Sequence, residues 1–498
     1  MKFRDFIVEH KYFFYFMSAL TLFRFVFINF TILTPQEAYY WYYSLKPALS
    51  YFDHPPVAAY SIWFGTTLFG KSFFGVKFMA VIWSLLTNLL LYMTVVRYKD
   101  DRTFPEKKAL ALSAVILFNL TVFAHLYAMI IVPDTPLIFF WMLCIFLFQE
   151  YLNYEKKKYI LLAGLSLGFG LMSKYTAIMI APGIFIFLLL SKEHRKKLAD
   201  PYIYMAFILA FIVFSGVIYW NASHDWASFR FQFGDRTSGL KSIRTKYIFQ
   251  LIGSQLFMLT PLVFVLFSGM TGKLFKNWND RKNLQFFFLS GFFIVVAFTF
   301  ISLKSLVKMN WLLPGYLGFI LTTIFVFNAR EITKKLITKI GIAFSLLLIV
   351  LLHLIPLIPN LPLGEGNTWS GWSDSAQKIA KLQDQFGGQD SCFVFTNSYK
   401  ASSLIKFYLP ADNNQEIYAQ NIYNQPALQF DIWGKPETLN GKSALYIFDD
   451  RREYKNDLKK VEPFFDSLEL IEEFQYFFAG KHTRTISCYL GKNYNDHK

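Results

Sequence analysis

The side chains best suited to chemistry lie in short polar segments between long apolar runs. The first such segment carries a carboxylate at Glu37 and, further on, an acid and an imidazole at Asp53 and His54. Tyr40 and Trp41 follow Glu37 by three and four residues, so in a short helix an aromatic side chain shares a face with the carboxylate. A charge near hydrocarbon is costly unless it serves a pathway, a partner or a reaction. These acids are therefore candidates for a reaction site.

A second interpretation of this segment is an interfacial anchor. Tyr and Trp are enriched at membrane surfaces, so a helix lying flat there would use Tyr40 and Trp41 as anchors. Glu37 would then be solvated, and Asp53 with His54 would cap a turn. An anchor needs aromatic residues but has no need of two acids and a histidine beside them, which favours the reaction site.

Asp134 and Lys174 are charges between apolar runs. Asp134 follows Pro133 at the start of such a run, where aspartate is a preferred helix cap, and a capping role and a functional role are compatible. Lys174 is a lone cation in a short turn between two apolar runs. Its plain explanation is a side chain that reaches to the membrane surface, and the alternative is a functional cation.

Further basic residues gather in two later polar segments, and an amide follows the second. In order they are Arg230, Arg236, Lys304, Lys308 and Asn310. Basic clusters at a membrane surface suit lipid phosphates. Carboxylates ringed by such cations point to chemistry on a phospholipid substrate. No residue spacing here resembles a metal site, although the separated acids leave a divalent metal open.

The elements that hold these groups must lie in a membrane. Of the 498 residues, 54% are hydrophobic and 20% aromatic, and only 17% are charged. Too little polar surface remains to coat several soluble domains, which excludes a disordered chain and an ordinary cytosolic enzyme. The net charge of +16 is spread between the apolar runs and forms no single basic patch, so no nucleic-acid partner is expected.

Apolar runs of spanning length predict a polytopic α-helical membrane protein with about 11–13 transmembrane helices. The first run lies within residues 1–31 and has no cleavage site after it, so it is expected to be retained. The other runs are 75–96, 109–126, 136–152, 159–173, 175–190, 202–220, 247–268, 284–301, 311–328 and 340–358, and 57–72 is a further candidate.

The basic residues orient these helices. Loops on the side of the N-terminus hold 23 Lys and Arg, and the opposite short loops hold nine. Because positive charge marks the cytoplasmic side, the N-terminus is predicted to be cytoplasmic. An odd number of crossings then places everything after Pro359 outside, in the periplasm of a Gram-negative cell. The expected location is the bacterial inner membrane.

The composition changes near Pro359. We expect a membrane domain over 1–358 and a soluble α/β domain over 359–498 on the outer side. The elements predicted in the second domain are strands at Ser391–Thr396, Ser443–Phe448 and Thr483–Leu490, and an amphipathic helix at Ser373–Phe386.

The cysteines divide along the same boundary. Cys144 lies in a predicted membrane helix, where a small apolar residue is expected. Cys392 and Cys488 lie on predicted strands of the outer domain, and an oxidising compartment would permit a disulfide bond between them. Their separation is not readable from the sequence, so the bond stays open.

Several of these segments carry a resemblance to a known family. They are Glu37–Trp41, Tyr51–Pro56, Pro133–Asp134, Ser173–Thr176 and Asn310–Trp311. Together they resemble the polytopic GT-C glycosyltransferases. More narrowly, they are similar to bacterial relatives of the protein O-mannosyltransferases and of the aminoarabinose transferase that modifies lipid A, in the branch with Tyr-Phe-Asp-His-Pro-Pro. The resemblance continues more weakly at Gly371–Trp372, Ser398–Tyr399, Phe407–Tyr408 and Gln429–Trp433.

The resemblance implies transfer of a sugar from a polyprenyl-phosphate carrier to an acceptor on the outer side, with catalytic acids at Glu37 and Asp134. One position departs from the family, which usually has Asp-Glu where this chain has Gln36 and Glu37. An amide cannot accept a proton as a carboxylate does. Either Glu37 or Asp53 takes over, or the acceptor is already ionised, or the chain is a non-catalytic relative.

The expected partners are a polyprenyl-phosphate-sugar donor, a lipid or glycan acceptor and membrane lipids, and no cofactor is expected. Lipid A or another glycolipid is favoured over protein as the acceptor because Gln36 suits an anionic nucleophile. Attack on the face opposite the phosphate predicts one inversion. The side chains expected to contact substrates are Gln36, Tyr40, Trp41, Asp53, His54, Lys174, Arg230, Arg236, Lys304, Lys308 and Asn310.

A transporter for lipid-linked sugars is the rival from another class. Transporters place charges near the membrane midplane on interrupted helices and often show repeated halves. The acids of this chain lie in predicted outer loops, and its sequence shows no internal repeat. These two features favour an enzyme.

Overall fold

The computed structural model describes residues 3–235, 243–278, 282–327, 329–362, 370–410, 413–450 and 457–496. Internal contacts divide the chain into two units. The membrane unit comprises residues 1–28, 54–58 and 77–353, and the C-terminal unit comprises 29–53, 59–76 and 354–498. The C-terminal unit thus includes two early segments in addition to the residues from 354 onward.

The described chain up to residue 354 is built from helices, of which Pro35–Ser44 and most of Val57–Phe69 belong to the C-terminal unit. In chain order, the α-helices up to residue 354 are α1 (Phe3–Glu9), α2 (Lys11–Phe27), α3 (Pro35–Ser44), α4 (Val57–Phe69), α5 (Phe73–Val96), α6 (Phe104–Asn119), α7 (Val122–Met129), α8 (Asp134–Tyr154), α9 (Lys157–Ser173), α10 (Ile180–Leu190), α11 (Pro201–Ala222), α12 (Ala227–Arg230), α13 (Thr245–Lys276), α14 (Lys282–Ile301), α15 (Gly315–Val326), α16 (Ala329–Lys334) and α17 (Leu336–Leu354). A 3₁₀ helix, Tyr175–Met179, precedes α10.

Each of the eleven predicted spans coincides with a helix or a pair of helices. Six helices in the described ranges are long and apolar enough to cross a membrane, or seven if the bent pair α6 and α7 forms one span. This number is below the 11–13 expected. The reason is length: α15 has 12 residues and rises only about 18 Å, against about 30 Å of hydrocarbon.

The long helices are apolar on more than one face, because some faces meet other helices and others are available to lipid. In α11, Phe207 and Phe211 are exposed. Another face of α11 packs on α9, where a Cβ added at Gly164 would lie 2.2 Å from the carbonyl oxygen of Ala206. The two helices approach this closely because residue 164 has no side chain.

Two of the membrane helices are interrupted. The axes of α6 and α7 differ by 75° across a short break. Inside α13, Thr260 adopts φ 64° and ψ 150° just before Pro261, which has no N–H to donate. The two breaks meet, since Thr260 Oγ1 donates to the carbonyl oxygen of Leu120 at 3.3 Å. Irregular backbone at membrane depth is tolerated where protein surrounds it, as it does here.

The loops of the membrane unit form two groups. The N-terminal segment and the loops at 97–108, 153–158 and 191–201, which hold most of the basic residues, contact one another. The pairs that join them are Lys108 with Glu9, Lys99 with Asn153, and Lys157 with Asp200. The loops predicted for the opposite side contact one another separately at Asp134, Lys174 and Asn310.

The C-terminal unit contains a five-stranded sheet in the order β2-β1-β3-β5-β4. Strands β1 to β3 are parallel and β3, β5 and β4 are antiparallel. Its elements are α18 (Trp372–Gln385), α19 (Gly388–Ser391), β1 (Cys392–Thr396), α20 (Tyr399–Tyr408), β2 (Ile417–Tyr418), α21 (Gln429–Trp433), β3 (Ser443–Asp449), α22 (Leu458–Val461), β4 (Ser467–Phe478) and β5 (Lys481–Lys492).

The α/β class, the three predicted strands and the amphipathic helix are confirmed in this unit. The sequence analysis missed β2, which has two residues, and β4, an edge strand whose residues are mostly not buried. Neither strand has the clear apolar alternation that marks a half-buried strand.

Cys392 and Cys488 are not bonded to each other, and both are buried. They lie on β1 and β5, which flank β3 on opposite sides, with Cys392 opposite Ser443 and Cys488 opposite Ile447. Strands two positions apart are separated by about 9–10 Å, beyond the reach of a disulfide bond. A disulfide bond between Cys392 and Cys488, which the sequence left open, is therefore not formed.

Candidate active site

Asp134 lies at the centre of a buried polar cluster in the membrane unit. Its Oδ1 accepts a hydrogen bond from Lys174 Nζ at 2.8 Å, and its Oδ2 accepts one from Asn310 Nδ2 at 2.7 Å. Asp134 is 3% exposed and Lys174 is 7% exposed. A buried ion pair with a further hydrogen bond is the arrangement that makes burial of both charges tolerable.

Three helix termini bring these side chains together. Asp134 is the first residue of α8, Lys174 follows the last residue of α9 in extended conformation, and Asn310 lies in the turn before α15. The partial positive charge at the start of α8 also favours a carboxylate there. Residues distant in sequence thus meet because their helices end at the same level.

The two plain explanations offered for these charges are wrong. Pro133 occupies the N-cap of α8, with no side-chain cap bond, so Asp134 does not cap the helix with its carboxylate. Lys174 does not extend to the membrane surface, because its ammonium is paired with Asp134 and buried. The two side chains instead form a buried ion pair with each other.

The Lys174 ammonium has hydrogen-bond donors beyond the one that it gives to Asp134. An ammonium carries three N–H groups. One of them bonds Asp134, and the described part of the chain gives Lys174 Nζ no other hydrogen bond. The two remaining donors suit an anionic group such as a phosphate.

The other predicted cations do not join this cluster. Arg230, Lys304 and Lys308 are exposed. Their two loops do touch, since Arg244 N donates to the carbonyl oxygen of Leu303 at 2.8 Å. Arg236 lies outside the described residues.

In the C-terminal unit, Glu37 completes a capping box at the start of α3. Thr34 Oγ1 accepts from Glu37 N at 3.2 Å, and Glu37 Oε2 accepts from Thr34 N at 2.9 Å. Glu37 is fully buried, whereas Gln36 is partly exposed. The carboxylate therefore has a structural role in addition to the catalytic one expected of it.

Tyr40 and Trp41 are buried at 6% and 3% exposure, so the interpretation as exposed interfacial anchors is wrong. Trp41 packs edge-on against Phe407 of α20 with ring centroids 5.0 Å apart, and Tyr40 packs against Tyr43 at 5.7 Å. The Trp41 ring thus packs α3 against α20 of the same unit, whereas the Tyr40 contact lies within α3. Their predicted contact with substrate remains a prediction.

Asp53 is bound by a tyrosine of the same unit. Tyr43 Oη donates to Asp53 Oδ1 at 2.5 Å, and burial together with this carboxylate raises the pKa of Tyr43 well above its usual value. The backbone N of Phe52 donates to Gln429 Oε1 at 2.8 Å, which fixes the segment before Asp53. His54 belongs to the membrane unit and is partly exposed.

Two further buried cations lie inside predicted spans and are not among the predicted site residues. Arg24 in α2 and Lys77 in α5 are each 1% exposed. The available signal was a basic residue inside an apolar run of spanning length, because such a residue nearly always has a partner or a function. Within the described residues, no three His, Cys, Asp or Glu side chains come together as metal ligands.

Comparison with known proteins places this geometry in a family context. Residues 53–220 match the family model described as dolichyl-phosphate-mannose-protein mannosyltransferase. The lipid A galacturonosyltransferase RgtD of Rhizobium johnstonii is 24% identical over 433 residues, which span 84% of this chain and 88% of that protein.

The fold is shared with ArnT from Cupriavidus metallidurans. Its apo structure has a TM-score of 0.63 at 10% identity, and its structure bound to undecaprenyl phosphate has a TM-score of 0.62 at 12% identity. Each comparison covers 95% of this chain and 97% of ArnT. The family model and the curated relative are both of glycosyltransferases, which confirms the predicted activity, and the chain resembles the GT-C type in sequence and in fold.

Proposed function

We propose that this enzyme transfers a sugar from a polyprenyl-phosphate carrier to lipid A or another glycolipid. The observation that carries the proposal is the buried cluster of Asp134, Lys174 and Asn310. Two relatives support the substrates: one ArnT structure holds undecaprenyl phosphate, and RgtD is named for lipid A.

Lys174 is assigned to the carrier. Its two remaining N–H groups would donate to the phosphate, and the charge would stabilise the polyprenyl phosphate as it leaves the sugar. The exposed cations Arg230, Lys304 and Lys308, with Arg236, would attract the anionic lipid to this side of the membrane unit. Because the leaving group is already a stabilised anion, positioning supplies most of the catalysis.

Asp134 is assigned to the acceptor. The acceptor oxygen bonds the anomeric carbon as the bond from that carbon to the phosphate oxygen breaks, and attack from the opposite face inverts the configuration. Asp134 retains free lone pairs on both oxygens, so it would orient an acceptor hydroxyl and take its proton. A phosphate acceptor would need no proton acceptor, which fits Gln36 at the position where relatives carry an acid.

We propose that Glu37 and Asp53 act through α3. Glu37 closes the helix cap and Asp53 accepts from Tyr43, so both carboxylates are engaged within the C-terminal unit. Tyr40, Trp41 and His54 remain proposed substrate contacts. Asp134 is then the principal carboxylate of the reaction.

A turnover assay tests the proposal. Purified protein in lipid nanodiscs is mixed with undecaprenyl-phosphate-linked sugars, including galacturonic acid, and with lipid A or a glycosyl-acceptor peptide. Mass spectrometry then reads the products. We expect one sugar added to lipid A, with activity lost in Asp134→Asn and kept in the matched control Asp225→Asn, which alters an exposed acid. Transfer to the peptide alone would mean that the acceptor is a protein and not a glycolipid. The absence of transfer from every carrier would overturn the proposal.

We also propose the orientation. The N-terminus is cytoplasmic, and the C-terminal unit lies in the periplasm, where lipid A is accessible on the outer face of the inner membrane. The 23-to-nine distribution of Lys and Arg supports this placement.

A further inference from the structure

Arg24 is a buried cation with no acidic partner in the described ranges. It lies in α2 and is 1% exposed. Its Nη1 donates to Ser84 Oγ at 3.0 Å, and its Nη2 donates to Asn119 Oδ1 at 2.9 Å and to the carbonyl oxygen of Ala124 at 3.4 Å. A charge inside apolar helices is usually retained for a function, and the three acceptors lie in α5, at the end of α6 and in the first turn of α7, on both sides of the α6–α7 break.

The break frees backbone carbonyls that side chains must satisfy. The carbonyl oxygen of Asn119 accepts from His125 Nε2 at 2.9 Å, and that of Leu120 accepts from Thr260 Oγ1 at 3.3 Å. Ser345 Oγ in turn donates to Thr260 Oγ1 at 2.8 Å. Side chains of α7, α13 and α17 thus join Arg24 in holding one interrupted helix, because each freed carbonyl would otherwise be unpaired in a dry environment.

The amide of Asn119 extends the same network. Its Nδ2 donates to Asn88 Oδ1 at 2.7 Å and its Oδ1 accepts from Arg24, so both ends of the amide are engaged. The guanidinium therefore bridges the end of α6 and the first turn of α7. A lysine cannot replace it, because an ammonium lacks the planar fork that reaches several acceptors at once.

The interrupted helix leads directly to Asp134. Four residues, 130–133, connect α7 to α8, and Thr135 holds them through Oγ1 to the carbonyl oxygen of Ile130 at 2.9 Å. Ser84, Tyr127 and Thr135 line one small cavity, so the acceptor of Arg24 and the residue after Asp134 lie at the same junction of helices. The orientation of α7 relative to α6 therefore determines where the loop 130–133 begins.

We infer that Arg24 is a positioning residue for sugar transfer: it locks the α6–α7 break and so holds the loop that presents Asp134. The inference rests on the proposed function for its catalytic part. Arg24 contacts neither Asp134 nor Lys174 in the structure, so its effect passes through α7.

Hydrogen exchange and kinetics of Arg24→Gln and Arg24→Lys test the inference. We expect amides in 122–133 to exchange about tenfold faster or more, with 73–96 unchanged. Displacement of a catalytic group by about 1 Å costs up to about 10²-fold, so kcat should fall about tenfold or more while the carrier KM changes by less than about threefold. Ser84→Ala, which removes one acceptor, should show the same pattern more weakly.

The matched control is Arg97→Gln, which removes the partner of Glu150 at the other group of loops. It should leave exchange in 122–133 and kcat unchanged. Wild-type exchange in 122–133 in both Arg24 variants and in Ser84→Ala would overturn the lock. Faster exchange with wild-type kcat would overturn the link to Asp134, and a normal Arg24→Lys would show that charge alone suffices. If the wild type transfers no sugar, the proposed function fails, and the exchange data still decide the lock.

Discussion

Asn310 Nδ2 donates to Asp134 Oδ2 at 2.7 Å across 176 positions of sequence. The amide therefore orients the carboxylate that also accepts from Lys174. A neutral donor does this without adding a charge, so the net charge of the cluster is set by one acid and one base.

Asn310→Ala should lower turnover by about tenfold or more, because a hydrogen bond to a charged group contributes about 1.5–3 kcal/mol. The measurement is kcat with saturating carrier. Asn277→Ala is the control, since within the described residues Asn277 Nδ2 donates to the carbonyl oxygen of Lys273 at the end of α13. Equal rates for the two variants would mean that the amide does not orient Asp134.

Lys174→Met should weaken the apparent affinity for the carrier by about tenfold or more, since it removes the donors assigned to the phosphate. It should also destabilise the protein by about 3–5 kcal/mol, because Asp134 is left as a buried charge without its cation. Thermal unfolding of Lys174→Met and of the double variant with Asp134→Asn measures the second effect.

The double variant should recover much of the lost stability while remaining inactive. Recovery of stability together with activity would contradict the assignment of both residues. An unchanged carrier affinity in folded Lys174→Met would remove Lys174 from the phosphate site.

Glu37→Gln separates the capping role of this residue from a catalytic one. Glutamine at this position still completes a capping box, so stability should be nearly unchanged and turnover should fall by less than about threefold. Glu37→Ala should lose about 1 kcal/mol of stability through the cap. A drop of about 10²-fold in kcat for folded Glu37→Gln would make Glu37 the base instead.

All three cysteines should titrate as free thiols only after denaturation. Burial raises the pKa of Cys392 and of Cys488 to about 12, so neither forms a thiolate at neutral pH in the folded protein. Reaction with a thiol reagent at pH 7.5 should be negligible before denaturation and give three equivalents after it. One equivalent would indicate a bond between Cys392 and Cys488.

The orientation is testable with cysteines introduced at exposed positions. Ala222→Cys, at the end of α11, should react with an impermeant reagent in cells whose outer membrane is permeabilised, and Lys157→Cys should not. The reverse pattern would place the active site on the cytoplasmic side.

Hydropathy located the helices but not their interruptions. The backbone around the break between α6 and α7 accepts hydrogen bonds from Arg24 and Thr260, which lie far from it in sequence. Hydropathy averaged over a window measures only the apolar content of that window. It contains no information on side chains from other helices that bond to it. Six or seven helices of the described ranges reach spanning length, because an apolar run such as 311–328 begins with a turn that shortens its helix.

The sequence identifies those site residues that are polar and also lie at the end of an apolar run. Asp134, Lys174 and Asn310 were singled out as polar residues at the ends of apolar runs, and such ends meet at one level of a helical bundle. The capping box was also readable, since Thr34 precedes Glu37 by three residues, yet the carboxylate was interpreted as a catalytic or a solvated group and not as part of a cap. The burial of Tyr40 and Trp41 was not readable, because α20, which covers Trp41, lies more than 350 residues later.

Strand β4 forms one edge of the sheet, and its exposed residues include Glu469, Glu472 and Glu473. An open strand edge invites pairing with a strand of another molecule, and charged side chains along it make such pairing unfavourable. Lys492 of β5 pairs with Glu469, so two copies aligned edge to edge would bring mainly Glu472 and Glu473 against like charges. The acidic row thus keeps neighbouring enzymes from aggregating through their sheets, even where the protein is crowded in the plane of a membrane.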